Sequence, residues 1–218
     1  MESKLTKFLE QFFNFKVYGK KVIIPYWMNK LVKEIYGPYG GKGIPQEILK
    51  ATIEAAKSEK INLRNLSSKE IYAFMKKNRI GLDCSGFAYQ ILNFLDHQKG
   101  GDGIENSVVG VDGAGIRKTD ADALTNNINT LSVATYSQIK TGDLLRLDGG
   151  GHVAVIVKNS ENEIVYAHIS GKTKIEGPHL GKIKIVQKKK GLEEQTWSEL
   201  TNFRPNLGDG IRRLKIWA

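Results

Sequence analysis

The order in which two kinds of hydrophobic pattern occur restricts the fold of this chain more than any other feature of its sequence. Apolar residues recur at helical spacing as far as about residue 77 and again directly after residue 84. Helices that precede antiparallel strands predict an α+β domain, in which helices pack on one face of an antiparallel sheet of about five strands. The strands are predicted from short β-branched or alternating runs bounded by turn residues, at 143–147, 152–158, 163–169, 182–187 and 211–217.

The sequence predicts one compact domain made of two parts. Residues 1–77 are predicted to form a mostly helical N-terminal extension or insert that carries a loop rich in tyrosine and glycine, and residues 78–218 form the core. A length of 218 residues is ordinary for a single domain. Residues 104–136 are rich in Gly, Asp, Asn and Thr and show little periodicity. We therefore predict a long, partly ordered loop there, with the hypothesis that it acts as a lid over a ligand groove.

Charge and hydropathy limit the partners and the compartment. The formal net charge of +10 favours an anionic partner, for example an anionic cell-wall polymer, while no motif for specific nucleic-acid binding is present. No run is apolar enough for a transmembrane segment. Residues 1–15 are charged and typical of an amphipathic helix, not of a secretory signal. A cytoplasmic protein is expected from this, with release or non-Sec export to the cell envelope, or removal of a leader, as alternatives. No pattern indicates the oligomeric state.

The chain contains one cysteine, Cys84, which excludes an internal disulfide and a thiolate-rich metal site. Asp83 precedes it as a candidate helix cap, and Phe87 begins the apolar stripe that follows. A thiol in the first turn of a helix faces the positive end of the helix dipole and free backbone N–H groups, which favour the thiolate. The same groups can bind the oxyanion that forms when the sulfur attacks a carbonyl. Cys84 is therefore a candidate nucleophile, with room for a substrate beside Gly86.

A cysteine nucleophile needs a base, and His152 is the candidate. It opens a predicted central strand after three glycines, of which Gly151 allows close approach of a ligand. If 152–158 and 163–169 form a hairpin, His168 lies near His152 and can orient it, while Tyr166 shares a face with His168 and is the competing third member.

The other two histidines, His97 and His179, are expected to be surface or satisfied core residues. A metal site at paired histidines is not predicted either, because no third ligand stands at a recognisable spacing. No cofactor is predicted.

These residues resemble the NlpC-type cell-wall cysteine peptidases, with the CHAP-type amidases as the next closest family. The resemblance covers Gly81 to about Ser170, less than half of the chain. It is carried by three segments, Asp83-Cys84-Ser85-Gly86-Phe87, Thr141-Gly142-Asp143-Leu144-Leu145 and Gly151-His152-Val153-Ala154-Val155. It implies a papain-like fold, with Cys84 as nucleophile, His152 as base and His168 as the group that orients the base.

The resemblance also implies further contacts with a substrate or oxyanion. The family often carries a tyrosine in a Tyr–Gly–Gly stretch upstream of the cysteine, and Tyr36 and Tyr39, followed by Gly40-Gly41, are similar to it. The link from Pro45 to Asp83 is longer than is usual in the family and indicates an inserted helical segment. Asp83 and Ser85 flank the nucleophile and are candidate contacts for polar ends of a peptide, although Asp83 is equally explained as the helix cap.

The function that the resemblance implies is hydrolysis of a bacterial peptidoglycan stem peptide, typically between D-glutamate and diaminopimelate. The expected chemistry is acyl transfer through a Cys84 thioester, with water activated by His152. Three alternatives remain open. They are an N-acetylmuramoyl-L-alanine amidase, another acyl- or amide-transfer enzyme on the same fold, and a non-catalytic module that binds an anionic polymer.

Overall fold

The structure is a computed structural model that describes residues 4–27, 38–110, 113–199 and 201–218. Its α-helices are α1 (Lys4–Phe13), α2 (Pro45–Ser58), α3 (Ser68–Lys77), α4 (Cys84–Gln98) and α5 (Ala121–Thr125). Two short ribbons pair β1 (Lys16–Val17) with β2 (Lys20–Lys21) and β3 (Val109–Gly110) with β4 (Gly113–Ala114). The main sheet contains β5 (Thr130–Ser132), β6 (Leu144–Leu147), β7 (His152–Asn159), β8 (Glu163–His168), β9 (His179–Lys184), β10 (Thr196–Trp197) and β11 (Gly210–Leu214).

The main sheet is antiparallel and has the strand order β10-β9-β8-β7-β6-β11-β5. The predicted α+β class is confirmed, but the predicted number of about five strands is too low, because the described part of this sheet has seven. The two additional strands, β10 and β5, lie at the edges and are two and three residues long. Strands this short show no measurable alternation of apolar residues, so the sequence does not reveal them.

Alternating side chains of the sheet enter two separate hydrophobic cores. Leu144, Val153 and Val155 point to the face on which the helices pack, as predicted. Their neighbours Leu145 and Ala154 point to the opposite face, where irregular segments of the chain cover them. Because successive side chains of a strand point to opposite faces, a sheet buried on both sides needs apolar residues at consecutive positions. This explains the continuous apolar run at the start of β7.

Helix α4 lies at the centre of the helical layer. Its ring at Phe87 is 4.9 Å from the ring of Phe12 on α1, and Phe94 stacks on Phe8 at 4.4 Å. The buried stripe of α1 thereby holds α4 against the sheet, and the helical N-terminal region shares one hydrophobic core with it. The first residue of this fixed helix is Cys84.

The described part of the segment 104–136, predicted as a long and partly ordered loop, contains regular elements. It contains the β3–β4 ribbon, α5 and β5. Polar side chains hold it together: the Asn129 amide donates to the carbonyl oxygens of Val109 and Ala123 at 2.8 and 2.7 Å. Bonds from side chain to backbone replace an apolar stripe here, which explains why periodicity does not indicate these elements.

The sequence predicts no transmembrane segment, and the structure allows this to be examined for helices. None of the helices in the described ranges combines the length and the apolar character needed to span a bilayer.

Candidate active site

A cavity of about 420 Å³ opens where the N-terminus of α4 meets the first residues of β7. The predicted residues Cys84 and His152 both line it. Further lining groups come from segments far apart in the sequence, among them Tyr26, Asp120, Lys172 and Glu199. The concave site therefore combines a thiol, an imidazole and several charged groups.

The thiol of Cys84 lies at the capped beginning of α4. The carboxylate of Asp83 accepts a hydrogen bond from the Gly86 amide, which is the N-cap arrangement that the sequence predicts. The backbone N–H groups of Ser85 and Val153 donate to the sulfur. Val153 follows His152 directly, so the backbone of β7 reaches the sulfur at the position next to the candidate base.

A tyrosine that the sequence analysis missed, Tyr26, contacts the sulfur. Its hydroxyl is hydrogen-bonded to Cys84, and burial together with the nearby thiol and Asp83 raises the pKa of Tyr26. The segment that carries it runs beside the residues before α4, with Trp27 N donating to Leu82 O at 2.9 Å. A side chain at Gly81 would overlap the Pro25 carbonyl oxygen, so the glycine permits this close approach. The signal in the sequence is an aromatic residue directly after Pro25.

The predicted tyrosine positions lie elsewhere or cannot be placed. Tyr36 is outside the described residues. Tyr39 is exposed, lies 5.9 Å from Arg117 and is hydrogen-bonded to Glu47, and it is not among the described residues that line the cavity. Tyr39 occupies a turn with φ of 52°, apart from the described residues that line the cavity, and its role in a substrate site stays a prediction.

The same loop brings a buried lysine to the nucleophile helix. Lys42 is 3% exposed, and its ammonium lies 3.1 and 3.2 Å from the Asp83 carboxylate oxygens and 2.5 Å from the Ser85 hydroxyl. A side chain at Gly86 would overlap the Gly41 carbonyl oxygen, so the loop lies directly on the first turn of α4. Asp83 and Ser85 line the cavity as predicted, but Lys42 engages the polar groups that were expected to meet the substrate. The geometry thus favours the cap interpretation of Asp83.

The predicted hairpin places the next two members of the site. Val155 on β7 pairs with Ala167 on β8, so His152 and His168 are diagonal neighbours on one face of the sheet. Nε2 of His152 lies 3.2 Å from Nδ1 of His168. Tyr166 packs edge-on against the His168 ring at 5.1 Å and is hydrogen-bonded to Ser198 and Thr201. Of the two candidates for the third member, His168 makes the contact with His152.

The chain of polar contacts continues beyond the three predicted residues. Nε2 of His168 lies 2.8 Å from one oxygen of Glu199, and Nε2 of His179 lies 2.8 Å from the other. His179 is the first residue of β9 and lies directly opposite His168. Glu199 comes from the segment after β10, and no local spacing in the sequence connects it with either histidine.

The environment of the site keeps both reacting groups neutral. Burial, reinforced by the Asp83 carboxylate, raises the pKa of the Cys84 thiol to about 12, although the Val153 amide and Lys42 oppose the shift. Burial lowers the pKa of His152 to about 3, with His168 and Lys172 adding to the effect. The helix position alone predicts a thiolate, but the loss of solvation in the enclosed site is larger. At neutral pH the pair is therefore a thiol beside a neutral imidazole.

Glu199 is the anionic end of the series of side-chain contacts that begins at His152. Burial alone would raise its pKa, but the contacts with His168 and His179 outweigh burial and lower the pKa below 4.5. Burial lowers the pKa of His168, against the opposing effect of Glu199. An ionised carboxylate thus stands behind two imidazoles that are in contact with each other.

The hydrogen-bond partners assign the protons along this chain. Nε2 of His152 faces His168, which leaves Nδ1 as the nitrogen available to a thiol, and a base needs its lone pair there. For His152 to serve as the base, it has to carry its proton on Nε2 and donate it to Nδ1 of His168. The proton of His168 would then be on Nε2, which lies 2.8 Å from Oε2 of Glu199 without the geometry of a hydrogen bond. Nδ1 of His179 lies 2.7 Å from the carbonyl oxygen of Gly177 and can donate to it, while Nε2 of His179 lies 2.8 Å from Oε1 of Glu199.

The glycines before His152 shape the cavity wall. Gly151 lines the cavity as predicted, and its amide donates to Asp148 O at 3.2 Å. Gly150 has φ of 89°, and a side chain there would overlap the guanidinium group of Arg146. This turn therefore depends on glycine at position 150 for its backbone conformation.

Comparison with protein-family models, with curated proteins and with solved structures finds no match for the chain. Its function has to be inferred from the geometry of the cavity and from the motifs around Cys84 and His152.

Proposed function

We propose that this chain is a cysteine hydrolase with a papain-like arrangement of nucleophile helix and base strand. One observation carries the proposal: Cys84, at the N-terminus of a buried helix, shares a cavity with an imidazole that a second imidazole and a carboxylate orient. A nucleophile, a base and a group that orients the base are the parts that acyl transfer requires. A binding module needs none of them in this order.

The first half of the reaction forms a thioester. As the sulfur of Cys84 attacks the substrate carbonyl carbon, its proton moves to Nδ1 of His152, because the resting thiol is neutral. The imidazolium that forms is stabilised through His168 by the charge of Glu199. The oxyanion receives hydrogen bonds from donors beside the sulfur, for which the Tyr26 hydroxyl and the first-turn amides of α4 are suitably placed. His152 then protonates the leaving amine, and the C–N bond breaks.

The second half releases the acid. Water gives a proton to the neutral His152 and attacks the thioester carbonyl carbon. The C–S bond breaks, and the proton returns from His152 to the sulfur of Cys84. The site is restored without a cofactor.

The substrate class is proposed from the motifs and from the charge of the chain. The motifs around Cys84 and His152 resemble those of enzymes that cut peptidoglycan stem peptides, typically between D-glutamate and diaminopimelate. A net charge of +10 favours association with an anionic wall polymer, since opposite charges attract over about 10 Å at moderate salt. We therefore propose peptidoglycan-derived peptides as substrates, and no specific nucleic-acid partner.

The test is digestion of purified diaminopimelate-type peptidoglycan, with the released fragments identified by mass. The active protein is compared with Cys84→Ala and with His97→Gln, a matched control at an exposed histidine outside the cavity. We expect fragments that end at D-glutamate from the wild type and from His97→Gln, and none from Cys84→Ala.

Other products would redirect the assignment. Cleavage between the sugar and the peptide, dependent on Cys84, would identify an N-acetylmuramoyl-L-alanine amidase on the same catalytic residues. Release that persists in Cys84→Ala would refute the cysteine mechanism. Binding of the polymer without release by any variant would favour a non-catalytic module.

A further inference from the structure

The residues farthest from Cys84 in this series of contacts are of the types that bind metal ions. His168, His179 and Glu199 each offer a ligand atom, and these atoms lie within 4.8 Å of one another. The side chains of the two histidines are 5% and 8% exposed, and that of Glu199 is 11% exposed. A cluster of two imidazoles and a carboxylate at this depth is unlike the exposed acidic groups that often occur together on protein surfaces.

Two atoms of the cluster are buried without a satisfied hydrogen bond. Nε2 of His168 and Oε2 of Glu199 lie 2.8 Å apart, but neither atom has a hydrogen-bond partner with acceptable geometry. Buried polar atoms are almost always paired, because an unsatisfied one has lost its hydrogen bonds to water without replacement. A cation that both atoms coordinate would satisfy them together.

The distances and the outer contacts fit such a cation. A tetrahedral Zn²⁺ site with ligands at about 2.0–2.2 Å keeps its ligand atoms about 3.3 Å apart. The two observed separations of 2.8 Å and the upper limit of 4.8 Å bracket this value. The second ring nitrogen of each histidine is also held, for His179 by Gly177 O at 2.7 Å and for His168 by His152. Metal-binding histidines typically have such a partner.

We propose that Nε2 of His168, Nε2 of His179 and the carboxylate of Glu199 bind a divalent transition-metal ion of the Zn²⁺ class. His168 and Glu199 line the cavity, so the ion can enter from it, and water from the cavity supplies the fourth ligand. Because the ligands come from β8, β9 and the segment after β10, their spacing in the sequence gives no sign of the site.

A metal ion bound at His168 would prevent His152 from acting as a base. This consequence rests on the proposed hydrolase function. When a metal holds Nε2 of His168, the proton of that ring moves to Nδ1 and is directed at His152. His152 must then accept with Nε2, and its own proton lies on Nδ1, the nitrogen that the proposed mechanism requires to be free for the thiol proton. In this tautomer His152 cannot take the proton of Cys84. Metal occupancy and acyl transfer are thus mutually exclusive.

The site is tested by metal binding to chelator-treated protein, with Zn²⁺ in competition against a chromophoric chelator and with Co²⁺ absorption as a second signal. Cys84→Ala is the reference protein, because it removes the thiol as an alternative ligand. We expect one ion per chain in Cys84→Ala and in Cys84→Ala/His97→Gln. In the Glu199→Gln and His179→Gln versions of Cys84→Ala we expect affinity lower by at least about tenfold.

Folding of each variant is checked by circular dichroism, and thermal unfolding with and without Zn²⁺ provides an independent measure of binding, because a ligand of the folded state raises the midpoint. Equal affinity in the ligand variants that fold, or no ion bound by Cys84→Ala, would overturn the site.

Inhibition is measured separately on the active protein. We expect Zn²⁺ to abolish peptidoglycan cleavage and a chelator to restore it. If Zn²⁺ binds at the three residues but leaves cleavage unchanged or raises it, the exclusive relation between metal and base is refuted. If metal binding is found in Cys84→Ala while the wild type shows no hydrolysis under any condition, the proposed function fails and the metal site stands.

Discussion

Replacing Lys42 by methionine should destabilise the protein and impair the nucleophile at the same time. The ammonium group of Lys42 lies within 3.2 Å of both carboxylate oxygens of Asp83, and the side chains of this pair are 3% and 5% exposed. Methionine has a similar length and fills the space without a charge. The change therefore removes the counterion of a buried carboxylate and little packing.

The magnitude follows from the partners that Asp83 keeps. Removing one member of a buried ion pair costs about 3–5 kcal/mol. Asp83 retains the Gly86 amide and the Ser85 hydroxyl at 2.9 Å, so we expect the lower end of this range, about 3 kcal/mol. For a chain of this size that lowers the midpoint of thermal unfolding by roughly 6–12 °C. The pKa of the Cys84 thiol should rise further, because Lys42 lowers it and Asp83 raises it.

The assay is urea unfolding of the wild type, Lys42→Met, Asp83→Asn and the double variant. Asparagine is as good a helix cap as aspartate, so Asp83→Asn keeps the Gly86 contact while it removes the charge. With both charges gone, the double variant should be more stable than Lys42→Met alone. A cost below about 1 kcal/mol for Lys42→Met, or costs that simply add in the double variant, would refute the argument that this pair depends on mutual neutralisation.

Three further predictions concern the reacting groups. Because the pKa of Cys84 is raised to about 12, its alkylation by iodoacetamide should still accelerate above about pH 9, and a plateau at lower pH would contradict the burial argument. Tyr26→Phe should slow peptidoglycan cleavage by about tenfold or more with little change in the unfolding midpoint, and an unchanged rate would exclude the hydroxyl from the reaction. The pKa of Glu199 is lowered below 4.5, so its ionised form stabilises the folded protein above that pH, and this contribution is lost as the pH falls. In Glu199→Gln the free energy of unfolding should therefore fall less steeply below about pH 4.5 than in the wild type. The same pH dependence of the free energy of unfolding in both proteins would contradict this assignment.

The parts of the fold that depend on local pattern could be predicted. The two halves of the chain, the capped helix at Cys84 and the hairpin that carries His152 and His168 are all visible as periodicity and turn residues. The class of the fold follows from their order. The short edge strands and the helix in 104–136 could not be predicted, because polar side chains and neighbouring strands hold them, and neither leaves a periodic signal.

The site was predictable only as far as its motifs extend. Cys84 and His152 stand in recognisable surroundings, whereas Tyr26, Lys42 and Glu199 have no distinctive neighbours. Tyr26 and Glu199 reach the cavity, and Lys42 reaches Asp83 and Ser85 beside it, through tertiary contacts such as the strand-like pairing of Tyr26 beside Leu82. His179 illustrates the same limit: its partner across the sheet, His168, lies in another strand, and only the register of β8 with β9 brings them together.

The enclosed position of Cys84 also bears on oxidative damage. Peroxide attacks the thiolate form of cysteine and proceeds to sulfenic and then irreversible sulfinic and sulfonic acids. The sulfur here is protonated at rest and its residue is 7% exposed, so it presents little thiolate to an oxidant between turnovers. In the proposed mechanism the sulfur becomes reactive only when a substrate carbonyl is in place. The sequence contains no second cysteine that could convert a sulfenic acid at Cys84 to a disulfide. Burial and protonation of the thiol are therefore the features that limit its oxidation.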